Sequence, residues 1–342
     1  MLKPPTIADV ARAAGVSMAT ASRTLSGTAR VRPALREQVL QAAGRLGYEA
    51  NPHARALASA SEATVGVVVH DIENPFFSAL VRGMEELAAE AQRMLLIITA
   101  HRDLDREVAA IAHFRARRVE ALIIAGSGHE SREFGAAVSN QLLAFEAAGG
   151  RAVLIGRHYG HCDVILVDNT NGSRELCEEL LRLGHRRFGV ICGPPDVNTT
   201  RERLAGVREA LDRAGVELPD AMIAYGDYTR DAGRACALRL LDQMTYRPTA
   251  LVVFNDVMAV GALAEVRTRG LRVPDDISVA GFDDIPVACD VTPSLTTVRV
   301  PSAEMGALAL RMALSPSKAA VRVEHVATRL VVRQSTGPPP TT

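Results

Sequence analysis

The sequence predicts an α/β protein that begins with a small helical domain and continues as two successive α/β lobes. From Thr64 onward, short apolar runs rich in β-branched residues alternate with stretches of helical spacing. This alternation is typical of parallel strands that are buried on both faces and connected by helices. About ten such runs are more than one compact open sheet usually holds, so we expect two sheets. Residues 6–25 have a different pattern, because they form two short helical segments around a tight turn.

The N-terminal domain has the pattern of a helix-turn-helix. Thr6 can cap a first helix, Gly15 suits the turn because glycine adopts positive φ cheaply, and Ser17 can cap a second helix. That second helix is rich in small residues and polar on one side, which suits entry into the DNA major groove. A generic helical hairpin is the alternative. Pro33 and Gly47 are placed to begin and end a third helix.

The charge distribution favours DNA contact at the N-terminal end. The whole chain has a formal net charge of zero, but residues 1–60 hold eight Lys or Arg against three acidic residues. The rest of the chain is therefore mildly acidic. A basic domain on an acidic body suits phosphate binding, although chance asymmetry is the alternative.

Several function classes are disfavoured by what the sequence does not contain. Its five cysteines form no Cys-x-x-Cys pair, so we expect free thiols and no metal site. No apolar run reaches the length of a membrane span, and the first residues form no apolar signal segment, which predicts a cytoplasmic protein. Phosphate-loop, Gly-x-Ser-x-Gly and His-Glu-x-x-His motifs are missing, so we expect neither a cofactor nor an enzyme.

Polar segments follow the predicted strands. Ligands of open parallel sheets bind at the carboxyl ends of the strands. The segments at these ends are rich in Asn, Asp, Arg, Tyr and Phe, which predicts a cleft for a polar small molecule. They are residues 71–77, 156–160, 193–200, 226–231, 255–259 and 281–286.

The chain resembles the lactose-repressor (LacI/GalR) family of bacterial transcription regulators from residue 5 to about residue 298. The motifs occur in the family's order: TIADVARAAGVSMATASRTLSG, LGYEANPHARAL, DIENPFF, LRLGHRRFGVICGP, RLAGVREAL, RPTALVVFNDVMAVGAL and GLRVPDDISVAGFDD. The resemblance implies a three-helix headpiece, a hinge helix and a two-lobed, doubly wound, periplasmic-binding-protein-like core.

The implied boundaries are a headpiece over 1–50, a hinge helix and linker over 51–63, a core over 64–335 and a disordered tail over 336–342. Within the core, the first lobe is expected over about 64–166 and 298–320, and the second lobe over about 167–297 and 321–335.

The resemblance assigns residues 17–25 as the recognition helix. Met18, Ala19 and Arg23 match the positions that face base edges. Arg23 is best suited to specificity because a guanidinium can grip guanine O6 and N7, with a phosphate contact as the alternative. Residues that would contact backbone phosphates or cap helices are Thr6, Ser17, Thr20, Ser22 and Asn51.

The segment 51–58 resembles the hinge helix of the family. Leu57 matches a leucine that wedges into the minor groove and kinks the DNA. His53 and Arg55 would assist in a groove of negative potential. An ordinary linker is the alternative.

At the effector end, the resemblance assigns Phe76 and Phe77 to stacking on a ligand ring, with Tyr228 as a second aromatic. Arg203 matches the family's effector-binding arginine, a solvated helix residue being the alternative. Arg157 would add positive charge and favour a sugar acid, or would face solvent. The side chains suited to hydrogen bonds with hydroxyls are Asn74, Asp168, Asn255 and Asp283.

The sequence thus predicts a homodimeric repressor that binds a pseudo-palindromic operator and responds to a sugar-like effector. The C-terminal region has no heptad run, which favours a dimer over a tetramer. Two alternatives use the same core: a solute-binding receptor, which would need a signal peptide and no headpiece, and a sugar-acting enzyme, which would need catalytic groups.

Overall fold

The computed structural model describes residues 5–26, 31–48, 64–126, 128, 132–157, 162–243, 246–315 and 320–341. The chain divides into two compact units, Met1–Ala63 and Thr64–Thr342. The predicted hinge residues Asn51, His53, Arg55 and Leu57 lie outside the described residues.

The first unit contains the helices α1 (Ile7–Ala13), α2 (Met18–Ser26) and α3 (Pro33–Leu46). The turn between α1 and α2 contains Gly15 at φ 63°, as the sequence predicts. Small residues dominate the core of this unit, which lets the three helices approach closely. The core residues are Val10, Ala11, Ala21, Val39, Ala42 and Ala43.

The second unit begins with a first lobe built on a six-stranded parallel sheet. Its strands are β1 (Thr64–Val69), β2 (Met94–Thr99), β3 (Ala121–Ala125), β4 (Arg151–Ile155), β5 (Asp163–Val167) and β11 (Val323–Val326), in the spatial order β11-β5-β4-β3-β1-β2. Its helices are α4 (Pro75–Glu90), α5 (Leu104–Ala116), α6 (Arg132–Ala147) and α12 (Ser302–Leu314). Alternate side chains, such as Val67 and Val68, enter two different apolar clusters. Burial on both faces explains the unbroken apolar runs.

The second lobe has a four-stranded parallel sheet, in the spatial order β7-β6-β8-β9. Its strands are β6 (Phe188–Cys192), β7 (Ile223–Tyr225), β8 (Ala250–Val253) and β9 (Ser278–Ala280), beside an antiparallel pair of β10 (Thr297–Arg299) and β12 (Arg329–Val331). The helices of this lobe are α7 (Asn169–Arg182), α8 (Asn198–Arg213), α9 (Arg230–Leu241), α10 (Asp256–Thr268) and the short α11 (Val287–Asp290). None of the described helices is long and apolar enough to cross a bilayer.

The C-terminal region differs from the prediction. Residues 321–335 were all expected in the second lobe, but the segment forms β11, which pairs with β5 of the first-lobe sheet, and β12, which pairs with β10. The assignment of all of 321–335 to the second lobe is therefore wrong. The chain crosses between the lobes three times, within Val167–Asn169, Arg299–Ser302 and Val326–Arg329.

The prediction of a disordered tail over residues 336–342 is also wrong for the first residues of that segment. The Gly337 N–H donates to Ser278 Oγ at 3.1 Å, and the hydroxyls of Thr336 and Thr296 are hydrogen-bonded at 2.8 Å. The buried His185 ring lies 2.9 Å from the Gly337 carbonyl oxygen through Nε2. These polar contacts hold the segment against the second lobe, and a polarity-based interpretation does not detect them.

Candidate DNA interface and effector cleft

The helix α2 presents one exposed face. Met18 is 59% exposed, whereas Ala21 and Thr24, on the opposite side, are buried against the other two helices. The predicted base-contacting residues therefore share a surface. The exposed side chains are Met18, Ala19, Ser22 and Arg23.

Hydrogen bonds at the helix starts hold this surface in place. The Asp9 carboxylate accepts from Thr6 N–H at 2.9 Å and from the Thr6 hydroxyl at 2.7 Å. Ser17 Oγ accepts from Thr20 N–H at 3.2 Å and so caps α2. Arg23 Nε donates to the Ala19 carbonyl oxygen at 3.2 Å, which keeps the guanidinium along the exposed face.

The second unit has a cleft lined by residues of both lobes, at the carboxyl ends of the strands. The structure places seven of the nine predicted effector residues there: Asn74, Phe76, Phe77, Arg203, Tyr228, Asn255 and Asp283. Four further polar or charged residues of the lining were not among the predicted effector residues: His70, Arg102, Asn169 and Thr199.

The second-lobe wall of the cleft is built around Arg203, which is 6% exposed. Its Nε donates to Asn169 Oδ1 at 3.0 Å, its Nη2 donates to Asp283 Oδ1 at 3.1 Å, and its Nη1 donates to the Phe254 carbonyl oxygen. The guanidinium carbon lies 3.6 Å from the centroid of the Phe282 ring. Arg203 is therefore a fixed part of the wall and not a solvated helix residue.

Asp283 completes this cluster. Burial raises the pKa of its carboxyl group to about 6, and the neighbouring Arg203 opposes that rise. At neutral pH the carboxylate is therefore ionised and balances the guanidinium. One of its oxygens is held by Arg203, and the residue lines the cleft, where a carboxylate can accept from a ligand hydroxyl.

Tyr228 is held at the edge of the same wall, with a backbone φ of 69°. Its hydroxyl is hydrogen-bonded to Thr200 Oγ1 at 2.7 Å, and its carbonyl oxygen accepts from Asn255 Nδ2 at 3.2 Å. Asn255 Oδ1 meanwhile accepts from Met258 N–H at 2.8 Å and caps α10. The side chain of Asn255 therefore positions Tyr228 from within the wall.

The first-lobe wall carries the two phenylalanines. Their ring centroids lie 5.2 Å apart at an interplanar angle of 86°, an edge-to-face pair. Phe77 is 6% exposed and packs into the core, so the half-buried Phe76 offers the more accessible ring. Asn74 Oδ1 accepts from Phe76 N–H at 3.0 Å and caps α4.

Arg102 also lines the first-lobe wall, and its Cζ lies 5.1 Å from the centroid of the Tyr228 ring. Sequence reasoning missed it because the stretch His101–Glu107 resembles the start of a solvated helix. The available signal was its position just after β2, at the same sheet edge as the other ligand-facing loops.

Two predicted effector residues do not lie in this cleft. Arg157 Nε donates to Glu202 Oε1 at 2.9 Å, and Asp168 Oδ1 accepts from Asn171 N–H at the start of α7, at 3.2 Å. Both line a second cavity beside the lobe crossings, together with His325. The structure therefore does not bring these two side chains to the cleft. Ile155 and Val167, at the ends of β4 and β5, line it, but the hydrogen bonds to Glu202 and Asn171 hold Arg157 and Asp168 at the second cavity.

An exposed helix of a helix-turn-helix suits DNA, and a cleft between two α/β lobes suits a small ligand, so a chain with both has the parts of a ligand-responsive transcription regulator. Comparison with known proteins identifies the family. The model described as bacterial regulatory proteins, lacI family, matches residues 6–51, and the periplasmic binding protein-like domain matches residues 177–336.

Individual proteins that are similar to this chain support the same family assignment. The HTH-type transcriptional regulator GalS of Salmonella typhimurium is 37% identical over 312 residues, which cover 90% of this chain and 89% of GalS. The lac repressor dimer bound to operator and the anti-inducer ONPF superposes with a TM-score of 0.81 and 28% identity, covering 98% of this chain and 100% of that one. The CelR–cellobiose complex has a TM-score of 0.71 and 30% identity, covering 97% and 99%.

The chain belongs to the lacI family of bacterial transcription regulators. It is a DNA-binding transcription regulator with a periplasmic-binding-protein-like domain, and it is not an enzyme. This confirms the resemblance drawn from the motifs and removes the alternatives of a transport receptor and a sugar-acting enzyme.

Proposed function

We propose that this protein is a homodimeric repressor that acts in the cytoplasm, binds a pseudo-palindromic operator and responds to a sugar or sugar derivative in the cleft. The observation that carries the proposal is the cleft wall around Arg203, faced by Phe76. Aromatic rings suit the C–H faces of a sugar, and fixed charged groups suit its hydroxyls. The lac repressor complex contains operator DNA and the CelR complex contains cellobiose, which supports the same roles here.

On the DNA side, Arg23 is the residue we assign to guanine, with Met18 and Ala19 against thymine methyl groups. All three side chains are exposed on α2. We assign Thr6, Ser17, Thr20 and Ser22 to backbone contacts, which position α2 without reading sequence. Asn51 keeps its predicted role as a phosphate contact or helix cap, and His53, Arg55 and Leu57 keep their predicted roles at the minor groove.

Exposed apolar side chains on edge strands support a dimer. In the first lobe, Met94 is 63% exposed and Ile97 is 41% exposed, and both lie on β2 at the edge of its sheet. In the second lobe, Tyr225 is 44% exposed on the edge strand β7. Proteins usually cover such edges, and a second copy of the chain would do so here.

A chain of hydrogen bonds supports coupling between the cleft and the lobe crossings. Asn169 lies at a crossing, where its Oδ1 accepts from Arg203 and its Nδ2 donates to Glu202 Oε2 at 2.9 Å. Glu202 in turn accepts from Arg157. A ligand that contacts Arg203 or Asp283 therefore acts on the segment between the lobes. It shifts their orientation to the extent that it binds one orientation better than the other.

The direct test is selection of random DNA duplexes with the purified full chain. We expect enrichment of two half-sites related by a two-fold axis, because a dimer presents two α2 helices. Anisotropy titrations of the selected duplex with and without a sugar panel would then measure the effector response. Enrichment of a single half-site would contradict the dimer, and an operator affinity insensitive to every sugar would contradict effector control.

A further inference from the structure

We infer that the effector carries an anionic group, a carboxylate or a phosphate, and that Arg102 binds it. This inference rests on the proposed role of the cleft as a site for a sugar-like effector. Beyond that role, the inference specifies the charge of the effector and the residue that recognises this charge.

The charge of the cleft is the first argument. Among the described lining residues there are two arginines and one carboxylate. Arg203 and Asp283 form an ion pair with each other at 3.1 Å, so their charges balance. Arg102 is therefore a positive charge in the cleft without a matching anion in its lining.

The surroundings of Arg102 are the second argument. Its guanidinium contacts the Tyr228 ring, and it forms no hydrogen bond or ion pair with any residue in the described part of the chain. Asp71 and Asp227 are near enough to favour its charged form, but neither forms an ion pair with it among the described residues, and one oxygen of each carboxylate accepts hydrogen bonds within its own loop. Asp71 Oδ1 accepts from Glu73 N–H at 2.9 Å, and Asp227 Oδ1 accepts from Thr229 N–H at 3.0 Å.

The hydrogen-bonding capacity of the first-lobe wall is the third argument. The Asn74 amide oxygen is occupied by Phe76 N–H, which leaves the Asn74 amide nitrogen as a donor. Arg102 is a donor only. These residues follow the paired strands β1 and β2, and the His101 N–H donates to the His70 carbonyl oxygen at 2.8 Å, so the two loops lie side by side. These hydrogen-bond donors suit a ligand group that accepts hydrogen bonds, such as a carboxylate or a phosphate.

The two walls together orient the ligand. Asp283 on the second-lobe wall accepts from hydroxyls, and Phe76 and Tyr228 supply aromatic faces for the ring. The carboxylate or phosphate then lies toward Arg102, where a guanidinium can donate two parallel hydrogen bonds to either group. Sugar acids and sugar phosphates share this chemistry.

The test is calorimetric titration of the full chain with matched ligands: glucose, gluconate, glucuronate and glucose 6-phosphate, and galactose with galacturonate. Inorganic phosphate controls for binding of an anion alone. We expect an anionic sugar to bind on the order of 30-fold or more tightly than its neutral parent, as is usual for a partly buried charge pair. Arg102→Gln should remove that preference, so that the variant binds an anionic sugar and its neutral parent with similar affinities. The control Arg106→Gln removes an exposed arginine of α5 and should keep the preference.

Two results overturn the inference alone: neutral sugars that bind as tightly as their acids and phosphates while still changing operator affinity, or an Arg102→Gln protein that keeps the anion preference. If no sugar in the panel binds and operator affinity never changes, the proposed effector cleft fails as well. A preference for the carboxylates or for the phosphates supports the inference and identifies the source of the charge.

Discussion

The two walls of the cleft are built in opposite ways. On the second-lobe wall, Arg203 donates hydrogen bonds to both Asp283 and Asn169. On the first-lobe wall, the Arg102 guanidinium lies over the Tyr228 ring and has no hydrogen bond or ion pair among the described residues, and Asn74 uses only its amide oxygen, as a helix cap. The second lobe is thus a preorganised surface, whereas the first lobe supplies groups that a ligand must satisfy. A ligand bound to the second lobe would therefore draw the first lobe toward it.

Removal of Arg203 should have the largest effect, because it breaks the preorganised wall. Arg203→Ala leaves Asp283 buried without its cation and the Phe254 carbonyl oxygen without its donor. We expect the free energy of unfolding of the core to fall by about 3–5 kcal/mol and the effector response to be lost, with operator binding kept below the melting temperature. Urea unfolding and ligand titrations would measure both effects.

Arg208→Ala is the matched control for that experiment, since Arg208 lies on the same helix with a largely exposed side chain that pairs with Asp220. It should change stability by no more than a surface ion pair contributes. An Arg203→Ala protein that still responds normally to the effector would show that the second-lobe wall is not the binding surface.

The walls also show how far the site could be predicted. Arg203, Asn255 and Asp283 stand in motifs whose order along the chain identifies them. Arg102 stands in a charged stretch, and its place in the cleft depends on the pairing of β1 with β2, which no local pattern encodes. Arg157 follows a strand as the cleft residues do, but its hydrogen bond to Glu202 holds it at the second cavity.

The fold was predictable to a similar extent. Apolar runs identify buried parallel strands because both faces of such a strand are covered, and an apolar run marks each strand from β1 to β9. The split between β11 and β12 was missed, since the sequence VEHVATRLVVR continues as one β-rich run across the crossing. Only long-range pairing assigns its two halves to different sheets.

The two lobes also differ in their buried carboxylates, and this difference predicts a pH dependence. Asp283 of the second lobe is paired with Arg203. Glu107 of the first lobe is 2% exposed, its Oε1 has no hydrogen-bond partner among the described residues, and burial raises its pKa from 4.5 to about 7. The folded state therefore binds more protons than the unfolded state between these values. The free energy of unfolding should fall as pH rises through that window and level off above it.

Glu107→Gln removes this titration while keeping the shape of the side chain. We expect the difference in free energy of unfolding between the variant and the unmodified protein to increase with pH in favour of the variant. This difference should reach about 3 kcal/mol above pH 7. Urea unfolding at pH 5, 6, 7 and 8 would measure the difference. The same change at the exposed Glu90 should leave the pH profile as it is. A constant difference between variant and unmodified protein at all four values would contradict the prediction.

A substitution in the predicted hinge tests whether the two cleft walls affect operator affinity only indirectly. Leu57→Ala should weaken operator binding about 10-fold, because the variant lacks the side chain that we propose as the minor-groove wedge. Effector binding should not change, since both walls lie within Thr64–Thr342. Anisotropy and calorimetry on one preparation would measure both affinities. Unchanged operator affinity would eliminate Leu57 as the wedge.

The smallest expected effect tests the link from the second-lobe wall to the lobe crossings. The Glu202 carboxylate accepts from Asn169 through one oxygen and from Arg157 through the other. Glu202→Gln keeps the size of the side chain but turns a donor toward one of these donors, which breaks the chain at that point. We expect the ratio of operator affinities without and with effector to move toward one by about threefold, while effector affinity itself changes little. Glu209→Gln, two turns further along α8 and paired only with Arg213 among the described ion pairs, should leave the ratio unchanged. Equal ratios in the Glu202 variant and the unmodified protein would show that the lobes are coupled by packing and not by these hydrogen bonds.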